Sequence, residues 1–133
     1  MVAVTAAVWL RLYVERIGEM RARAIAPQRL ATAKEGARLL ERVGAADNFR
    51  NLFEVPVLLY ALCLGLAVTQ TVTPLFVTGA WVYVALRALH SLIHVTYNRV
   101  MHRFTVYAVS TVLLFLLWGL FAARLLGIGW RSG

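Results

Sequence analysis

The chain has 133 residues, is 61% hydrophobic and has a mean hydropathy of +0.71, which excludes an ordinary soluble domain and leaves a single membrane domain. Its net charge is +8 and its pI about 10.8, but eight of the fourteen Lys and Arg residues fall between Glu15 and Arg50. No basic surface interleaved with aromatics stands outside the apolar runs, so nucleic acid is excluded as a partner.

A bilayer core of about 30 Å takes roughly 20 mostly apolar residues per helix. The first apolar run, Val2 to Val14, is short and carries Arg11. It predicts a helix over 2–24 that leaves the membrane through Glu15 to Ala24, with Arg11 facing the bundle. No charged leader and no small-residue cleavage site mark it, so it reads as a retained helix and not a signal peptide. Pro27 interrupts the pattern. Ala31 to Val43 predicts a short surface helix with Lys34, Glu35, Arg38 and Glu41 on its polar side, ended by Gly44. Asp47 or Asn48 then predicts the N-cap of a membrane helix over 48–72. Its first turns carry Arg50, Asn51 and Glu54, and Pro56 sits near its start, where a missing N–H costs least.

The uncharged stretch Gln70 to Pro74 predicts a tight turn, with Pro74 opening a third helix over 74–97. Asn98 to Arg103 reads as a short basic connection, and a fourth helix follows over 103–127. Leu52 to Val72, Leu75 to Tyr97 and Phe104 to Ile128 are long enough to span. The expected fold is all-α, an integral membrane four-helix bundle in one domain. Cys63, the single cysteine, reads as a small packing residue. The Lys and Arg bias places the Glu15 to Arg50 loop and the Asn98 to Arg103 connection in the cytoplasm, with both termini outside. Arg124 and Arg131 oppose this but are outnumbered.

Polar groups recur within the apolar runs. Arg87, His90 and His94 share one helix face at i, i+3 and i+7, and Arg99, Arg103 and Tyr107 share another at i, i+4 and i+8. Arg50 and Glu54 form an i, i+4 pair near the same end. Ionisable groups at such depths face a partner, a cavity or the interface. Several readings stand side by side. Arg50, Arg99 and Arg103 suit anchors to lipid phosphates, and Glu54 with Arg87 suits a structural ion pair. His90 and His94 have only His102 or Glu54 as further ligands, too thin a set to assign a metal. The excess of cations points to an anionic ligand, because arginine grips carboxylates through paired hydrogen bonds. A glutamate beside them suits an ammonium. Glutathione, with two carboxylates and one amine, fits both.

The stretches Arg50-Asn51-Leu52-Phe53-Glu54-Val55-Pro56, Arg87-x-x-His90, Asn98-Arg99 and Arg103-x-x-x-Tyr107 resemble signatures of the MAPEG superfamily, the membrane-associated proteins in eicosanoid and glutathione metabolism. The chain resembles a bacterial member, over nearly its whole length in helix order and loop size. The resemblance implies a homotrimer of four-helix bundles in the bacterial inner membrane, with glutathione between neighbouring subunits at the cytoplasmic side. It implies that Arg103 stabilises the thiolate with Tyr107 beside it, and that Arg50, Asn51, Glu54, Arg87, His90, His94 and Arg99 contribute to glutathione binding. Arg21 or Arg23 is similar in place to a first-helix arginine of the family. His94 and Phe104 stand where the prostaglandin-synthesising member has tyrosine and serine. The function expected from the resemblance is a glutathione-dependent transferase or peroxidase acting on lipophilic electrophiles drawn from the bilayer. A non-enzymatic scaffold or lipid-binding protein of the same fold is the alternative. A small exporter is less favoured, because Glu54 lies near the rim and the arginines repel cationic cargo.

Overall fold

A computed structural model describes residues 1–40, 44–97 and 99–128. The described residues form α1 (Val2–Ala22), a 3-10 turn (Pro27–Leu30), α2 (Ala33–Leu39), α3 (Gly44–Leu52), α4 (Pro56–Val68), α5 (Pro74–Val95) and α6 (Val100–Leu125). Three stretches are long and apolar enough to cross a membrane: Gly44–Val68, Pro74–Val95 and Val100–Leu125. The chain is an integral membrane protein. α1 falls short on composition, since Arg11 lies at its middle and Glu15, Arg16, Glu19 and Arg21 follow in its second half.

The core is a seam between α4, α5 and α6. Leu59, Leu62 and Leu66, and likewise Leu114, Leu117 and Phe121, recur at i, i+3 and i+7, and both rows close on Phe76 and Tyr83. The opposite faces present Leu64, Trp81, Val112 and Leu116 outward, the apolar surface a bilayer or a neighbouring subunit accepts. α5 and α6 approach closely at Gly79, where a Cβ would stand 2.7 Å from a Leu117 methyl.

Where the sequence predicts one helix over 48–72, there are two. Pro56 has no N–H for the Leu52 carbonyl, and its ring crowds the preceding turn. The backbone tightens there: Phe53 N bonds to the Arg50 carbonyl, and Val57 N and Leu58 N bond to the carbonyls of Glu54 and Val55. α4 ends at Val68, where the Thr69 hydroxyl and N–H both bond to the Gly65 carbonyl and Gln70 turns left-handed at φ 54°. Gly44 opens α3 and does not close the preceding helix, so Asp47 lies in its first turn and Asn48 is buried within it. Asn48 is no N-cap; its Oδ1 accepts from Ser91 Oγ at 3.2 Å and ties α3 to α5.

The surface helix is shorter than predicted. Thr32 caps α2, its hydroxyl accepting from Glu35 N while the Glu35 carboxylate accepts from Thr32 N. The expected continuation through 41–43, Asn98 in its basic connection, and Arg131 lie outside the described residues. Arg103 belongs to α6 and not to a loop, its N–H bonding to the Arg99 carbonyl at 3.0 Å. Arg11 turns to the end of α5: it donates to the Val95 carbonyl at 2.8 Å and pairs with Glu15 at 2.7 Å. A terminal helix carbonyl lacks an intrahelical donor, and Arg11 supplies one.

Candidate functional site

The break before Pro56 builds the first part of the site. In an unbroken helix the Asn51 carbonyl would accept from residue 55. Here it accepts from Arg87 Nη2 at 2.7 Å. Arg87 is 0% exposed, and its guanidinium lies 5.3 Å from the centre of the Tyr107 ring. Its Nε and Nη1 have no hydrogen-bond partner among the described residues. The ion pair with Glu54 that the sequence offers does not form; Glu54 is exposed in the break.

One helical turn apart, His90 and His94 both reach Arg103. His90 Nδ1 lies 3.1 Å from the Arg103 carbonyl, and a carbonyl only accepts, so Nδ1 carries the proton. His94 Nε2 lies 2.8 Å from Arg103 Nη1, and a guanidinium only donates, so Nε2 is the acceptor. An imidazolium has no acceptor, so this bond requires neutral His94. The His94 ring packs against the start of α3, where Nδ1 stands 3.7 Å from the position of a Cβ on Gly44. The His90 and Tyr107 rings are 5.8 Å apart. Asn51, Arg87, His90, His94, Arg103 and Tyr107 are therefore one connected network at the junction of α3, α5 and α6.

Arg50 and Glu54 lie elsewhere. They line a groove of about 490 Å³ between α1 and α3, with Leu12, Arg16, Phe49 and Phe53. Phe49 and Phe53 also wall an apolar groove of about 490 Å³ that runs past Trp9 to Tyr60. A polar mouth thus adjoins an apolar channel. Arg99 precedes α6 at an exposed position. No hydrogen bond or ring contact joins Arg50, Glu54 or Arg99 to the buried network. Ala45, Asn48 and Leu52 face the bundle and turn Arg50 outward.

Arg16 is the residue that sequence reasoning missed. Arg21 is exposed, and Arg23 donates to Glu19 and to the Leu39 carbonyl, so neither stands in the groove. The available signal was Leu12 and Arg16 at i, i+4, a face that meets α3. Tyr83, buried one turn before Arg87, was also not singled out.

The sequence profile of the MAPEG family matches residues 1–123. No curated protein and no solved structure matches the chain.

Proposed function

The chain belongs to the MAPEG family, and from that premise we propose that it binds glutathione and activates its thiol against lipophilic electrophiles. The observation that carries this reading is Arg103, a half-buried arginine held in place by two buried histidines beside the Tyr107 ring. A fixed positive charge beside a thiol favours the thiolate. A free thiol has a pKa near 8.5, so only a few per cent is ionised at neutral pH. One well-placed arginine lowers that by about one to three units. The thiol proton leaves to water, and the thiolate attacks the electrophile, forming a thioether and expelling the leaving group. With a lipid hydroperoxide, two glutathiones give the disulfide, the alcohol and water.

In this reading Tyr107 donates to the sulfur. Arg50 and Glu54 hold a carboxylate and the amine of the tripeptide, Arg16 adds a charge to the same groove, and Arg99 assists from the rim. Asn51, Arg87 and His90 hold the site together, and the apolar groove admits the electrophile from lipid. The two halves of the site make no hydrogen bond or ring contact with each other among the described residues of one chain, which supports an assembly in which neighbours complete each other's sites; that it is a homotrimer is what the family resemblance implies.

Purified protein with saturating glutathione should show the ultraviolet absorbance of a thiolate. Arg103→Ala should abolish it while retaining much of the affinity. Wild-type protein that binds no glutathione, or binds it without thiolate, would sink the enzyme reading. The alternative is a scaffold of the same fold. Two observations favour it: Arg103 already has a partner in His94, and the position after it is the exposed Phe104 in place of a hydroxyl.

A further inference from the structure

An arginine on the first turn of a helix has four rotatable side-chain bonds and, left alone, samples many positions. Ordering such a side chain opposes any site that needs its charge in one place. Two of the contacts that order Arg103 come from α5. His90 donates to its main-chain carbonyl at 3.1 Å, and His94 accepts from its guanidinium at 2.8 Å. His94 is 4% exposed, so its ring is itself fixed, by the start of α3 at Gly44 on one side and His90 on the other.

We propose that His94 is a positioning residue: as a neutral acceptor for Arg103 Nη1–H it fixes the guanidinium at the rim of the bundle. The catalytic consequence rests on the glutathione reading, while the contact itself does not. His94 Nε2 is spent on Arg103. Its side chain acts through where it places a charge. The bond uses one of the five guanidinium N–H groups and keeps the charge intact. An acceptor at the Nε2 position is the only chemical requirement, and glutamine carries its Oε1 at closely similar reach. Leucine has no acceptor, and the acceptor of asparagine falls short.

The test compares wild type, His94→Gln and His94→Leu in detergent. The first readout needs no glutathione: the rate at which phenylglyoxal modifies Arg103, followed by peptide mass spectrometry. His94→Leu should raise that rate roughly ten-fold, the scale set by losing a hydrogen bond to a charged group. His94→Gln should stay close to wild type. Equal rates in all three overturn the proposal. If His94→Leu does not fold, His94→Asn replaces it with the same expectation. The second readout is the thiolate absorbance at saturating glutathione, which should fall in His94→Leu and return in His94→Gln. A full thiolate signal in His94→Leu also overturns the proposal. Absence of the signal in wild type counts against the glutathione reading alone, because the modification rates still decide for or against His94.

Discussion

Arg87 concentrates the energetics of the buried network in one side chain. It is wholly buried, has no ion-pair partner among the described residues, and contributes one hydrogen bond to the Asn51 carbonyl and one contact with the Tyr107 ring. Removing it has two separable costs. Arg87→Ala leaves a cavity and an unpaired buried carbonyl, and should destabilise the protein by about 3–5 kcal/mol. Arg87→Met fills most of the volume and removes a desolvated charge, so only the orphaned carbonyl remains, about 1–3 kcal/mol. Reversible unfolding in mixed micelles measures both. Equal losses would mean that the charge itself stabilises the fold. That Arg87 is buried was legible from its place among apolar residues. Its partner was not, because a main-chain carbonyl leaves no mark on the sequence. The carbonyl is available only because Pro56 stands five residues further on.

Among the helices, α5 and α6 pack tightly along the core seam. Gly79 permits it: a Cβ there would sit 2.7 Å from Leu117 Cδ2 and 3.1 Å from Cδ1. Gly79→Ala gains roughly 1 kcal/mol of helix propensity but overpacks the seam by roughly 2 kcal/mol, a net loss of about 1 kcal/mol. Leu117→Ala alone opens a cavity and should cost about 2–5 kcal/mol. The double substitution should cost less than the sum, since the added methyl occupies part of that cavity. Strict additivity in the same unfolding measurement would place the two side chains out of contact. Element boundaries that depend on local chemistry alone were readable. Pro74 opens α5, and the uncharged turn before it lies where Gln70 takes its left-handed conformation. The Thr32-x-x-Glu35 cap of α2 is local chemistry of the same kind, and it starts the helix two residues later than Ala31.

For the whole molecule, the open count is whether α1 spans. Arg11 sits at the α5 terminus beside Val95, which leaves Val2 to Leu10, about 14 Å of helix, on the apolar side of it. From the Lys and Arg bias we expect the segment after α1 in the cytoplasm, and with it a C-terminal reporter active outside. An N-terminal reporter active outside as well is the expected result and gives four spans. Cytoplasmic activity at the N-terminus would leave three.

Hydropathy alone set the number of long apolar runs, because each must be about as long as the bilayer is thick whatever it packs against. Charge at fixed helical spacing put Arg87, His90 and His94 on one face and Arg99, Arg103 and Tyr107 on another; the structure joins the two faces through all of these side chains except exposed Arg99. The face on which Arg50 and Glu54 open was decided only in three dimensions. It follows from how α3 rolls when Asn48 bonds to Ser91, and from where the chain breaks ahead of Pro56. Spacing along a helix determines which residues align, but the direction of that line is set by the neighbours that bury the opposite side.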